Sequence, residues 1–179
     1  GTQLLEENGE IQLSARAFPG YSTALFNRHS MLTRLLPGNR FSRRYLLSSW
    51  AHDETRDVDW VSGACMVLAR RGIESFGAFD PAYFMYIEDV DLCLRAKKAG
   101  FRVVYFPAVR VRHTIGGSSR SATFRMIRAR HASMARYYRK HLRRGFVFDS
   151  LTVGGIWARC GLQFALAAVR RVAGRPHRP

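Results

Sequence analysis

Phe84-Met85-Tyr86-Ile87-Glu88-Asp89-Val90-Asp91-Leu92-Cys93-Leu94-Arg95, closed by Ala99-Gly100, is the stretch whose reading decides the fold. Glu88, Asp89 and Asp91 crowd one turn. Val90, Cys93, Leu94 and the stem of Lys97 recur on one face behind them. Acids complement the positive end of a helix dipole and bases the negative end, and glycine readily takes the left-handed conformation that ends a helix. With Lys97 and Lys98 in the last turn and Gly100 beyond it, the pattern predicts a helix from Glu88 to Ala99. Asp89 then lies at the helix start, where backbone N–H groups point at a carboxylate. On spacing alone two readings stand: acids that only complement the dipole, or a carboxylate presented for proton transfer.

Outward from that helix, strand and helix patterns alternate, which makes the chain α/β. Upstream, Phe79 to Ile87 is an aromatic loop whose Tyr83, Phe84 and Tyr86 read as anchors. Ile73 to Phe76 is a helical turn before Gly77. Val58, Trp60 and Val61, then Ala64 to Ala69, read as a buried strand entered through Ser62-Gly63 and ended by Arg70-Arg71-Gly72. Downstream, Phe101 to Phe106 alternates as a strand, Pro107 interrupts it, and Val109, Val111 and His113 resume the period of two. Ile115 to Ser121 is a Gly/Ser loop. Thr123 to Leu142 is an amphipathic helix, with Phe124, Ile127, His131, Met134 and Tyr138 on one side and mostly arginines opposite. Leu151 to Val172 is a more apolar helix, weakened by Gly154, Gly155 and Gly161. Residues 40–56 are polar and irregular, after a short helix within Ser22–Leu36 flanked by Pro19-Gly20 and Pro37-Gly38. The organisation expected is therefore 1–56 as an irregular connecting segment, 57–119 as the half carrying the chemistry, 120–145 as a basic amphipathic helix and 150–174 as a C-terminal apolar helix.

The 179 residues, 47% of them apolar, suffice for one domain with a core. The net charge is +16, and after Asp91 the only acid is Asp149, against 20 Lys and Arg. Such a half attracts phosphate groups, whether on nucleic acid, anionic lipid or a phosphorylated substrate. A nucleic-acid-binding module is disfavoured: no zinc-finger, RNP or helix-turn-helix pattern occurs, and the acids at 88–91 would repel phosphate. Cys65, Cys93 and Cys160 lie far apart in apolar stretches and read as small buried hydrophobes rather than zinc ligands. No run of about 20 uncharged apolar residues marks a membrane span. The polar start, Gly1 to Glu10, does not read as a signal peptide, and its first residue, Gly rather than Met, hints at a natural start elsewhere.

Val58-Asp59-Trp60-Val61-Ser62-Gly63-Ala64, then Gly77-Ala78-Phe79-Asp80, then Phe84 through Arg95, Ala99-Gly100, Tyr105-Phe106-Pro107 and His113-x-x-Gly116-Gly117-Ser118 form an ordered set. That set, over about residues 57–140, resembles the family 2 glycosyltransferases in their bacterial, rhamnosyltransferase-like branch. The resemblance implies a GT-A fold, a Rossmann-like α/β domain, of which this is the acceptor and catalytic-base half followed by C-terminal helices. The half expected to bind the nucleotide sugar, with its DxD metal motif, is not matched here; Asp57-x-Asp59 has the letters but leads into the Trp60 strand.

What the resemblance implies chemically is an inverting sugar transfer. Such a reaction needs a base for the acceptor hydroxyl and a cation for the departing diphosphate. Asp89 matches the family's base, flanked by Glu88 and Asp91, the latter expected to orient the helix or bond nearby backbone or an Arg. His113 matches a position where related enzymes ligate a divalent metal, Mg or Mn, most of whose ligands would come from the unmatched half. Gly117, Ser118, Arg120 and Arg125 would close on the donor phosphates. Trp60, Gly63 and Ala64 would border the acceptor, although a core role for Trp60 stays equally open. The implied partners are a nucleotide-sugar donor, with dTDP-rhamnose the candidate, and a glycan or polyprenyl-linked acceptor of the cell envelope. The implied place is the cytoplasm. Separately, Leu151 to Val169 carries only one charge, Arg159, and follows a basic helix, which suggests peripheral docking on an anionic inner leaflet of the plasma membrane; packing on the domain's own core stays equally open. The competing expectation is a non-catalytic remnant that binds protein or membrane.

Overall fold

The computed structural model describes residues 1–20, 39–114 and 123–172. The expected helix within Ser22–Leu36, the turn at Pro37-Gly38 and the Gly/Ser loop lie outside them. The described chain runs β1 (Thr2–Leu5), β2 (Ile11–Gln12), β3 (Ala15–Arg16), α1 (Arg40–Leu46), β4 (Arg56–Asp57), β5 (Trp60–Val61), α2 (Arg70–Phe76), α3 (Glu88–Lys98), β6 (Val104–Arg112), α4 (Thr123–His141) and α5 (Phe146–Val172). This is the mixed α/β architecture expected. The chain divides into two compact units: residues 1–79 with 89–113, and residues 80–88 with the chain from 114 onward. Two units form because α4 and α5 bury an apolar set of their own.

In the first unit a four-stranded sheet runs β2-β1-β6-β4, and a separate two-stranded ladder pairs β3 with β5. β1 and β6 are parallel, as in Rossmann-like sheets, while β2 and β4 pair antiparallel on either side. β6 runs through Pro107 as one strand. The expected interruption appears instead as a register slip against β1: Thr2 faces Phe106, but Gln3 faces Arg110. Proline offers no N–H to a ladder, so the chain bulges there. The core gathers Leu4, Ala15, Val58, Val61, Leu92, Cys93 and Tyr105, all buried. Residues 1–56, expected to be an irregular connector, thus supply three strands and α1. The Asn39 side chain caps α1 by accepting the Ser42 N–H at 2.9 Å.

The strand expected to run on from Val61 through Ala69 stops at Val61. Ala64 to Ala69 takes no strand conformation, and Val67 is 84% exposed. A strand buried on both faces needs ladder partners, and among the described residues β5 has only the two-residue β3 beside it. Arg70-Arg71-Gly72, expected to end that strand, instead form the first turn of α2. α3 does form as predicted and ends in the expected glycine cap. Gly100, at φ 82°, lets its own N–H reach the Lys97 carbonyl and the Phe101 N–H reach that of Ala96.

In the second unit α4 and α5 pack together over Ile127, His131, Tyr138, Ile156 and Cys160, all buried, with the Phe124 and Phe164 rings 5.3 Å apart. The Tyr138 hydroxyl and the Arg143 guanidinium both bond Asp149 near the start of α5. Asp80, from the Gly77–Asp80 motif, takes Lys140 at 2.9 Å and Arg136 at 3.2 Å on α4. The Lys140 hydrogen bond comes first among the contacts that hold its carboxyl far below the usual range; the Ala82 N–H and Arg136 add to it. By length and composition alone α5, the apolar helix expected at the C-terminal end, is long and apolar enough to cross a membrane.

Candidate active site

β5 and the start of α3 bring two sequence-distant pieces together. Asp89 Oδ2 accepts the Gly63 N–H at 3.0 Å, and its Oδ1 accepts the Val90 N–H at 2.9 Å. The two residues lie close: a Cβ at position 63 would be in ordinary van der Waals contact with Asp89, 3.4 Å from its Cβ and 3.8 Å from Oδ2. Burial raises the Asp89 pKa above the ordinary carboxylate value. The N–H groups of Gly63 and Val90, then the charge of Arg16, work against that rise. A carboxylate moved toward neutrality is a stronger base once ionised. Gly63 and Ala64 are both exposed, so the carboxylate borders an open surface of small residues.

Just before this acid cluster, Tyr86 and Ile87 adopt φ of 69° and 68°. Left-handed backbone is unfavourable for an L-residue and most so for a β-branched one; each costs on the order of 1 kcal/mol or more. Such strain concentrates at functional segments. Glu88, the first acid, belongs with residues 80–88 to the second unit and is partly buried.

Asp91 is fully buried and paired with Arg95 at 2.8 Å. Arg95 in turn donates to the carbonyls of Phe76, Gly77 and Ala78, where α2 ends. The acid thus organises an arginine that closes a neighbouring helix end. Trp60 is buried, its indole N–H donates to the Ala17 carbonyl at 2.8 Å, and the Arg16 guanidinium lies 5.2 Å from its ring centre. Ala64 follows on an exposed turn, its N–H 3.3 Å from the Ser62 hydroxyl. Asp59 takes Lys97 at 2.8 Å and the Phe18 N–H, while Asp57 takes Arg102 at 2.8 Å, so both acids of Asp57-x-Asp59 serve ion pairs.

His113, just past β6, has Nδ1 3.0 Å from Gln12 Oε1, and its carbonyl accepts Gln12 Nε2 at 2.6 Å. Among the described residues no three His, Cys, Asp or Glu come together as a metal site. Arg125 lies in the second unit, its guanidinium 4.5 Å from the Phe84 ring centre. Gly117, Ser118 and Arg120 lie outside the described residues. The three thiols are free; Cys93 and Cys160 are buried as expected and burial pushes the Cys93 thiol up to about 11, whereas Cys65 is only partly buried.

Arg16 is the site residue the sequence did not reveal. Its charge acts on Asp89 because β3 pairs with β5, setting Arg16 opposite Trp60. That pairing spans more than 40 residues and involves two-residue strands, so no local periodicity announces it.

A family model described as "Glycosyltransferase like family 2" matches residues 13–144. The chain is 36% identical over 113 residues to the N-acetylglucosaminyl-diphospho-decaprenol L-rhamnosyltransferase of Mycobacterium tuberculosis (strain H37Rv), a match covering 63% of this chain and 36% of that protein. It is also 36% identical over 96 residues to the rhamnosyltransferase WbbL of Escherichia coli K12, covering 53% of this chain and 36% of that one. The chain thus spans about a third (36%) of the length of these relatives. No solved structure matches it.

Proposed function

The chain belongs to the glycosyltransferase-like family 2 and carries part of its GT-A α/β domain, and from that premise we propose that it supplies the catalytic base of a sugar transfer in cell-envelope polysaccharide synthesis. The observation that carries the proposal is the Asp89 carboxylate at the start of α3, clasped by the N–H groups of Gly63 and Val90 beside an exposed surface. Asp89 takes the proton of an acceptor hydroxyl as that oxygen bonds the anomeric carbon. The bond from that carbon to the donor's nucleoside diphosphate breaks on the opposite face, so the configuration inverts. The two N–H groups hold the carboxylate in place, and Gly63 leaves room for the approach.

The names of the relatives support transfer of rhamnose, and one of them an acceptor held on a polyprenyl diphosphate; on this reading dTDP carries the donor sugar and the transfer takes place at the cytoplasmic face of the membrane. The nucleotide and the divalent cation of the family are held, on this reading, by residues outside 1–179. Asp57 and Asp59 are already engaged by Arg102 and Lys97, in agreement with that reading.

The test is Asp89→Asn in the natural full-length protein. Transfer should fall about 100-fold or more, the scale of general-base contributions, with donor affinity unchanged. Because burial makes the ionised carboxylate costly, the variant should melt at neutral pH no lower than the parent. A transfer rate near that of the parent would remove Asp89 from the role.

A further inference from the structure

α5 has two unlike faces. Ile156, Cys160 and Phe164 turn toward α4. On the other side Val147, Leu151, Ala158, Leu162, Leu166 and Val169 follow one another at helical spacing, all exposed, with Leu151 at 70% and Val169 at 66%. That stripe carries no charge. At 1.5 Å per residue the 27-residue helix is about 40 Å long. An apolar surface of that extent is seldom left facing water.

The charges around the stripe indicate what covers it. Residues 123–172 hold eleven Lys and Arg against one acid, Asp149. Arg143 and Arg144 precede α5 and Arg170 and Arg171 close it, all exposed. Basic side chains at both ends of an aliphatic stripe complement a surface with an apolar interior and anionic headgroups. A transmembrane placement fits less well. α4 is packed along α5 and carries exposed Arg125, Arg128 and Arg139, which a crossing α5 would draw toward the hydrocarbon at a cost of several kcal/mol each.

We infer that α5 is a membrane-docking helix that lies in the plane of an anionic bilayer surface with Leu151, Leu162 and Val169 turned into the acyl boundary. The docking stands apart from the sugar-transfer reading, because vesicle flotation needs no donor, acceptor or turnover.

The experiment floats the full-length protein with vesicles of phosphatidylcholine containing phosphatidylglycerol, and with phosphatidylcholine alone. The parent should float with the anionic vesicles, and its bound fraction should fall at least 10-fold on the neutral ones. Leu151→Glu/Leu162→Glu/Val169→Glu should lower anionic binding by a similar factor while far-ultraviolet circular dichroism stays unchanged. Arg170→Glu/Arg171→Glu, beyond the stripe, should weaken it independently, which keeps the test decisive if the triple variant misfolds. A parent that stays at the bottom of the gradient, equal flotation on both vesicle types, or undiminished binding by a folded triple variant would overturn the inference. So would a dimeric parent that the triple substitution makes monomeric without any vesicle binding, since a second copy would then be the cover.

Discussion

At the scale of single residues, the site is a balance of forces on one carboxylate. Burial drives the Asp89 pKa up, and Gly63, Val90 and Arg16 pull it back. Arg16→Met keeps a side chain over Trp60 but removes the charge. The Asp89 pKa should then rise further. As the proposed base, Asp89 would be competent only when ionised, so the acid limb of the kcat/KM profile of the full-length enzyme should move to higher pH, and Arg16→Lys should largely restore it. An unmoved acid limb in Arg16→Met would mean that the guanidinium does not act on the base. The sequence made Asp89 legible because its helix is local, with acids in the first turn and a glycine cap eleven residues later. Arg16 was not legible, because its place depends on a ladder only two residues long.

At the scale of elements, the Asp91–Arg95 pair is the tie between α3 and the end of α2. Asp91 is fully buried, and Arg95 satisfies three carbonyls as well as the acid. Arg95→Met would take from buried Asp91 the cation it pairs with, and breaking a buried ion pair costs about 3–5 kcal/mol. Its melting temperature should drop accordingly, while Asp91→Asn should weaken folding without moving the pH profile of transfer. A shifted profile in a folded Asp91→Asn enzyme would give Asp91 a part in the chemistry. Elements set by near neighbours, such as α3, α4 and the glycine cap, were readable from periodicity. Ala64 to Ala69 was misread because a strand-like apolar run fixes only a propensity, and the ladder that would realise it is not formed among the described residues. β1 to β3 were passed over for the converse reason: they are short, and only the pairing of β1 with β6, β2 with β1 and β3 with β5 makes them strands.

At the scale of the whole molecule, two compact units share one chain, the first holding the base and the second the basic helical pair. The proposed donor site lies in neither. Calorimetric titration of residues 1–179 with a nucleoside diphosphate and Mn²⁺ should therefore show no micromolar binding, whereas a chain extended upstream by roughly 100 residues, the size of a mononucleotide-binding half, should bind. Micromolar, metal-dependent binding by the shorter chain would place the nucleotide within it. The outward stripe of α5 has a kinetic consequence. A protein lying on a bilayer no longer searches a volume for a lipid-borne acceptor; both reactants are confined to one plane and meet by lateral diffusion. The quantity that governs the encounter is then the number of acceptors per unit area of membrane, and diluting the vesicles with inert lipid slows the reaction even when the concentration of acceptor in the tube is held fixed.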